Sequence, residues 1–249
     1  MFNRPYIKEL AKYRMSGRMG NAIIVALLVT ILGGQASSGF TFRFNQINQN
    51  GHNILMTFFP LFAFLGFFAI AYSILVGNVI SIGTKGWFLR YWRGENVPVG
   101  EMFVGFKHYS AFVTTGLLKG VYIFLWSLLF VIPGIVMGYA YSMTEYILCE
   151  YPHLSASQAI DISRRMTYGH KADLFVFDLS YIGWWMLTAM TFGILGIVYV
   201  TPYYNTAHAG VYETLKHQAL QRGVLRPEDF GMMAPPPAPP YNQGGYQQY

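Results

Sequence analysis

The sequence predicts an all-α, polytopic integral membrane protein with about six transmembrane helices and both termini in the cytoplasm. Of its 249 residues, 53% are hydrophobic and only 11% are charged, whereas soluble domains carry about 25% charged residues. Uncharged stretches alternate with short basic ones, and a Pro-Gly pair divides the uncharged stretch 124–144. Composition therefore indicates a multi-pass protein of the cell membrane, and the Pro-Gly pair decides the number of spans.

The basic composition does not indicate a nucleic-acid-binding protein. The formal net charge is +6, but Lys and Arg stand between apolar blocks, whereas a nucleic-acid-binding face needs them clustered on a folded surface. Basic residues beside apolar segments are typical of the cytoplasmic ends of membrane spans. The single cysteine, Cys149, excludes an intramolecular disulfide and a thiolate metal cluster.

Three segments differ in composition. Residues 1–18 are basic and predict an amphipathic helix on the membrane surface, with an apolar face formed by Tyr6, Ile7, Leu10 and Met15. Residues 19–226 form the transmembrane helical domain. Residues 227–249 are rich in Pro, Gly, Gln and Tyr and predict a disordered tail with polyproline character. The tail either keeps the chain soluble or binds the groove of a protein partner.

The Pro133-Gly134 pair either kinks one helix, giving four spans, or turns the chain, giving six. With the amino terminus inside, six spans leave only Arg43 of the seventeen Lys and Arg outside, whereas four spans also export three basic residues near position 165. Because Lys and Arg near span ends orient membrane helices, six spans are favoured. Those spans are residues 21–34, 54–84, 110–132, 135–150, 172–191 and 194–212, with a second turn at Phe192-Gly193.

A helix on the inner surface is predicted between spans four and five. Ser155 with Gln158 forms a capping-box pattern at its start. Residues at the end of this helix and just after it form a basic cytoplasmic patch that either holds anionic lipid head groups or only flanks the membrane. The patch consists of Arg164, Arg165, His170 and Lys171.

Four ionisable residues, Lys119, Glu145, Asp178 and His208, are predicted to form a charged layer inside the membrane. They lie 12 to 15 residues from the two predicted turns, a common depth of about 18 to 22 Å at about 1.5 Å per residue. A shift of 59 residues, which aligns span three with span five, also places Lys119 on Asp178. Because such groups must be paired or hydrated, Lys119 is predicted to pair with Asp178 or Glu145, and His208 to complete the network.

The charged layer has two interpretations. It is either a site for a proton, an ion or a head group, or a structural ion pair that holds two helical hairpins together. The structural interpretation is favoured because the outer members can extend to the interface. The two interpretations differ in whether substitution impairs activity or only folding.

No motif of a known enzyme class is present. The sequence contains no phosphate-binding Gly-Lys-Ser loop, dinucleotide fingerprint, nucleophile elbow or His-Glu-x-x-His zinc motif. No cofactor and no metal site is predicted. A membrane enzyme built on Glu145, Asp178 and His208 is disfavoured because nothing places an attacking group beside a base, so a non-enzymatic protein is expected.

Several short motifs stand out in the second half of the chain: Ile132-Pro133-Gly134, Tyr141-Ser142-Met143, Gly169-His170-Lys171 and Pro202-Tyr203. With these motifs the chain resembles a bacterial family of multi-pass membrane proteins of unknown function, known as domain of unknown function 975. The resemblance extends to about Leu215, and the amino-terminal segment Gly17-Arg18-Met19-Gly20-Asn21 departs from the usual family pattern. It also implies a distant similarity to the membrane domain of glycerophosphodiester phosphodiesterases, and so to lipid or envelope biology.

The function expected from these observations is a non-enzymatic membrane scaffold or accessory subunit in envelope or export processes. The alternative is a small transporter or permease built around the charged layer. The expected partners are the lipid bilayer, anionic lipids at the basic patch and a protein that binds the Pro-rich tail. Nucleic acid is not among them.

Overall fold

A computed structural model describes residues 3–15, 19–32 and 63–231 of the chain. Within these ranges the chain is helical or turns between helices, with no β-strand. This confirms the all-α class. The predicted loop at 35–53 with Arg43, the start of span two and most of the carboxy-terminal tail lie outside the described residues.

Ten α-helices are found in the described ranges. A 3₁₀ helix, Val99–His108, leads into α4, and a second, Pro227–Phe230, follows the last α-helix. A π-helical turn at Ser73–Gly77 lies inside α3, and another at Gly196–Val200 leads into α10. The α-helices are α1 Arg4–Met15, α2 Met19–Leu32, α3 Ala63–Trp92, α4 Tyr109–Leu129, α5 Val131–Ala140, α6 Thr144–Glu150, α7 Ala156–Met166, α8 Lys171–Leu179, α9 Ile182–Met190 and α10 Thr201–Gln221.

Two helical stretches in the described residues are long and apolar enough to cross a membrane. They are Ala63–Trp92 and Val99–Leu129, while Met19–Thr30 is apolar but shorter. Two other predicted spans are each divided, since residues 141–143 separate α5 from α6 and residues 180–181 separate α8 from α9. The six-span arrangement therefore stays a prediction.

The chain turns near Pro133-Gly134 and is not merely kinked there. Helix α4 ends at Leu129, Phe130 is extended with φ −160° and ψ 151°, and α5 begins at the next residue. Pro133 lies in the first turn of α5, where its missing N–H costs no helical hydrogen bond. The two helices pack closely, because a Cβ added at Gly134 would lie 2.9 Å from Ser127 Cα. The turn thus lies three residues before the predicted pair.

A second hairpin joins α9 to α10. Phe192 and Gly193 both have positive φ, 52° and 88°, and the Gly193 amide donates to the Thr188 carbonyl at 2.9 Å. A positive φ is uncommon for a residue other than glycine, so the chain reverses tightly here. The two arms then meet, since a Cβ added at Gly196 would lie 2.5 Å from Thr188 Cγ2.

The buried core lies at one end of the helical assembly. Helix α10 packs against α1, α2 and α3, and α6 packs between α3 and α7. Burial of large apolar side chains is the main stabilising contribution to such packing. The largest fully buried side chains include Trp87, Phe88, Tyr146, Phe177, Tyr181 and Tyr212.

The opposite end exposes apolar side chains. Both hairpin tips are apolar, and Phe192 is 97% exposed. Lys, Arg, Asp and Glu are absent from 63–84, 120–144 and 179–212, the ranges that include both hairpin tips. Exposed apolar surface of this extent marks a surface that contacts other proteins or a membrane.

The two predicted amphipathic helices both form. Helix α1 buries Ile7, Ala11 and Met15, but Tyr6, predicted on the apolar face, is exposed because neighbouring helical residues point about 100° apart. Helix α7 starts with the predicted capping box. The Ser155 hydroxyl accepts from the Gln158 amide at 3.4 Å, and the Gln158 side chain accepts from the Ser155 amide at 2.9 Å.

Candidate functional site

A carboxylate shared by two lysines joins three helices at the charged layer. Lys119 Nζ of α4 lies 2.6 Å from Glu145 Oε1 of α6, and Lys85 Nζ of α3 contacts Glu145 Oε2. The Glu145 side chain is only 12% exposed. A buried carboxylate is tolerated when it is paired and hydrogen-bonded, so the two ammonium groups account for its position.

A helix break positions Glu145. Because α5 ends at Ala140 and α6 begins at Thr144, the Ala140 carbonyl and the Met143 amide lack helical partners. Ser163 of α7 replaces them: its Oγ accepts from the Met143 amide at 3.2 Å and donates to the Ala140 carbonyl at 2.9 Å. Thr167 Oγ1 also lies within donating distance of that carbonyl, at 3.2 Å. Ser163 and Thr167 therefore fix the break that directs Glu145 toward the lysines.

A second acid–base group forms between α8 and α10. His208 Nε2 lies 2.7 Å from Asp178 Oδ1, and Tyr204 Oη donates to the same oxygen at 3.2 Å. Tyr204 and His208 are four residues apart and therefore share one face of α10. The His208 ring also contacts the Phe177 ring, with centroids 5.2 Å apart.

The two groups face a common cavity of about 370 Å³. Lys85 and Lys119 line the cavity, whereas Glu145, which contacts both of them, does not. The cavity is half open and combines ionisable, tyrosine and aliphatic side chains, a mixture suited to a small polar ligand. Its wall is formed by Lys85, Lys119, Ile123, Ile135, Gly138, Tyr139, Ser142, Tyr146, Asp178, Tyr204, Asn205 and His208.

The family model described as "Protein of unknown function (DUF975)" matches residues 1–137 and 128–219. The chain belongs to the DUF975 family. Curated proteins and solved structures gave no match. The first matched segment contains Lys85 and Lys119, and the second contains the other members of the charged layer. The DUF975 description states no activity, so function has to be argued from the geometry.

Three of the four predicted residues of this DUF975 protein, Lys119, Asp178 and His208, line one cavity, and the fourth, Glu145, contacts Lys119 from outside the lining. The four form two separate pairs. Of the two predicted partners of Lys119, Glu145 is the one it contacts. Asp178 instead accepts from His208 and Tyr204. Whether the layer binds a ligand stays a prediction.

Lys85 is the member of the site that sequence reasoning missed. It follows a long uncharged stretch, which indicates the end of a span and nothing more. Its contact with Glu145 joins positions 60 residues apart, and no local pattern signals such a pairing.

Both arginines of the predicted basic patch contact carboxylates of the same chain. Arg164 contacts Asp161 at 3.2 Å, and Arg165 makes two hydrogen bonds to Asp229, at 3.0 and 2.9 Å. These hydrogen bonds raise the pKa of Arg165 and hold the pKa of Asp229 below its ordinary value. His170 is 5% exposed and Lys171 is half-buried. The patch is therefore less open than its sequence suggests, and head-group binding stays a prediction.

A further ion cluster closes the core end. Glu150 lies 2.7 Å from both Arg93 and Lys216 and accepts from Tyr212 at 2.6 Å, while Arg93 also pairs with Glu213 at 2.5 Å. A cavity of about 330 Å³ adjoins this cluster and includes Cys149 in its wall. Among the described residues, no group of three or more His, Cys, Asp and Glu side chains is arranged to hold a metal ion.

Proposed function

We propose that the chain is a multi-pass protein of the cell membrane with six spans and both termini in the cytoplasm. The two long apolar helices, the exposed apolar hairpin tips and the two chain reversals support this arrangement. The positions of the basic residues support the orientation. In this threading the hairpin tips face the outside, and α1, α7 and the Glu150 cluster lie at the cytoplasmic face.

We further propose that the protein binds a small polar or amphiphilic solute at the charged layer, as a small transporter or permease. The observation that carries this proposal is the cavity of about 370 Å³ between the Lys85–Glu145–Lys119 group and the Asp178–His208 pair. An ion pair that only holds helices together is best fully packed, because a cavity forfeits contacts around it. Two charged groups that line one open cavity instead provide contacts for a polar ligand.

A second candidate is a non-enzymatic scaffold or accessory subunit in envelope or export processes. The observation that favours it is that each acid of the charged layer already contacts a base within the chain. Paired in this way, the layer is able to fix helix positions without a ligand. The lipid bilayer, anionic lipids at the basic patch and a protein that binds the Pro-rich tail are the partners of this alternative.

Neither candidate is an enzyme. Ser142, a hydroxyl on the cavity wall, donates to the Tyr139 carbonyl at 2.8 Å. A serine nucleophile is instead held against a base that takes its proton. The resemblance to the membrane domain of glycerophosphodiester phosphodiesterases supports a lipid-related role without a hydrolytic one.

Thiol labelling distinguishes the two candidates. We suggest placing a cysteine at Ser142 in a chain that carries Cys149→Ser, and adding a charged methanethiosulfonate reagent to right-side-out and to inside-out membrane vesicles. A transporter alternates access to its cavity, so Ser142→Cys should react from both sides. Protection on both sides would favour the scaffold and reject the transport proposal.

The matched control is Ser157→Cys in the same background. Ser157 is exposed on α7, and the six-span threading places it in the cytoplasm. It should react only where the reagent reaches the cytoplasmic face. Reaction of Ser157→Cys in intact cells would overturn the threading before the cavity result is interpreted.

A further inference from the structure

We infer that the cavity takes a zwitterionic group, in which an ammonium and a phosphate or carboxylate are joined by a short linker. This inference rests on the proposed binding function and specifies the class of ligand. It is argued from the two charged groups of opposite sign that line the cavity, the aromatic rings on its wall and the apolar side chains toward one end.

One wall of the cavity is positive. Lys85 and Lys119 share the single carboxylate of Glu145, so the three side chains carry a formal net charge of +1. Each ammonium has three N–H donors, and one contact to Glu145 leaves donors on both lysines. Since the lysines line the cavity and Glu145 stands behind them, these donors are available to an anionic group inside it.

Another part of the wall is negative and aromatic. Asp178 is held by His208 and Tyr204, and with a neutral imidazole this group carries a formal charge of −1. Tyr139 and Tyr204 both hydrogen-bond to Asp178 and line the same part of the wall, and tyrosine faces attract ammonium groups. The cavity already contains one such contact, because Lys85 Nζ lies 5.5 Å from the centre of the Tyr146 ring.

The apolar part of the wall lies toward the first hairpin turn. Ile123 and Ile135 line the cavity and are seven and five residues from Phe130, where the chain turns. Ile135 is 51% exposed. A hydrocarbon chain attached to the zwitterion can therefore lie along these residues. The same chemistry is found in a phosphoethanolamine head group of a lipid and in free phosphoethanolamine, so the test has to separate the two.

Calorimetric titration of the full chain, purified in a neutral maltoside detergent, tests the inference. The probes are dihexanoyl-phosphatidylethanolamine, dihexanoyl-phosphatidylglycerol, which lacks the ammonium, and free phosphoethanolamine. The ethanolamine lipid should bind about tenfold or more tightly than the glycerol lipid, since one charge-assisted contact contributes roughly this ratio. Comparable binding of free phosphoethanolamine would identify a soluble zwitterion as the ligand, and weaker binding would identify the lipid.

Substitutions then assign the two walls. Asp178→Asn should remove the preference for the ethanolamine lipid and leave glycerol-lipid binding unchanged or stronger, whereas Lys119→Gln should weaken both. If Asp178→Asn does not fold, Tyr139→Leu removes a ring from the same wall and should also weaken only the ethanolamine lipid. Glu9→Gln, an exposed carboxylate on α1, is the matched control and should bind like the unsubstituted chain.

The zwitterion inference and the binding proposal fail in different ways. Equal affinity for the two lipids, with no effect of Asp178→Asn or Tyr139→Leu, would overturn the zwitterion inference and leave a general anion-binding cavity. Absence of binding for all three probes, together with a Ser142→Cys thiol that is protected from both sides, would overturn the proposed function as well.

Discussion

Lys119 Nζ lies 2.6 Å from Glu145 Oε1, and this contact joins α4 to the continuation of its own hairpin beyond the α5–α6 break. The same carboxylate also contacts Lys85 of α3. Glu145 therefore joins three helices, and the group depends more on its one carboxylate than on either lysine. Removing the carboxylate leaves two neighbouring ammonium groups, whereas removing one lysine leaves a complete pair.

This relationship predicts that Glu145→Gln destabilises the protein more than Lys119→Met. Loss of one partner of a buried ion pair costs about 3 to 5 kcal/mol, which we expect for Glu145→Gln. Lys119→Met should cost less because Lys85 still neutralises the carboxylate. Thermal unfolding in detergent, followed by tryptophan fluorescence, measures both effects, with the exposed Lys107→Met as the control. Equal loss of stability for the two variants would contradict the shared-carboxylate arrangement.

A second prediction concerns the break between α5 and α6. Ser163 is fully buried and bonds both the Met143 amide and the Ala140 carbonyl. Ser163→Ala leaves these groups with fewer partners, and a buried unsatisfied group costs about 1 to 3 kcal/mol. The substitution should lower the unfolding temperature and, by loosening the position of Glu145, weaken ligand binding at the cavity.

The control for this prediction is Ser157→Ala on the same helix, whose side chain is exposed. It should leave both the unfolding temperature and the binding unchanged. If the Ser163→Ala chain is as stable as the unsubstituted protein, water or the backbone alone supplies the hydrogen bonds of the Met143 amide and the Ala140 carbonyl.

The sequence indicates much of this fold because its dominant signals are local. Uncharged runs predict the long helices, and Pro133-Gly134 predicts a chain reversal that the structure has three residues earlier, at Phe130. The capping box at Ser155 predicts the start of α7. The break at residues 141–143 has no such local signal, because the hydrogen bond that replaces its helical one comes from Ser163, on a helix further along the chain.

The sequence also predicts part of the candidate site, because the depth of each residue follows from local spacing. Counting residues from the two turns brings Lys119, Glu145, Asp178 and His208 to one depth, and all four belong to the two groups at one cavity. Depth alone does not determine pairing, which depends on how each helix is rotated. The choice of Glu145 for Lys119, and the presence of Lys85, therefore required the structure.

A third prediction tests the close contact in the first hairpin. A Cβ added at Gly134 would lie 2.9 Å from Ser127 Cα, whereas one added at Gly138 meets nothing within 4 Å. Gly134→Ala should therefore force α4 and α5 apart and destabilise the protein by about 1 to 3 kcal/mol. Gly138→Ala, on the same helix, should be neutral or slightly stabilising because alanine favours the helix by about 1 kcal/mol.

Thermal unfolding of the two variants in one detergent measures the difference. If Gly134→Ala and Gly138→Ala unfold at the same temperature, α4 and α5 are not in contact at this point. That outcome would favour the kinked, four-span interpretation of Pro133 over the hairpin.

The last prediction concerns pH and the Arg165–Asp229 contact, which lies outside the predicted spans. Hydrogen bonds from Arg165 hold the pKa of Asp229 below its ordinary value in the folded protein. The carboxylate therefore stabilises the fold above its unfolded pKa of about 3.9, and this stabilisation is lost as the pH falls through the lower pKa of the folded state. Asp229→Asn should lower the unfolding temperature at neutral pH, and the difference should shrink as the pH falls below about 4.

Unfolding temperatures of both chains between neutral pH and pH 3 test this dependence. Glu228→Gln is the matched control, since Glu228 is exposed on the same 3₁₀ helix and its removal should give no comparable pH-dependent difference. Because both partners are partly exposed, salt should reduce the effect of Asp229→Asn by screening. A difference that stays constant over the whole pH range would mean that Asp229 acts through its hydrogen bonds alone and that its charge contributes nothing.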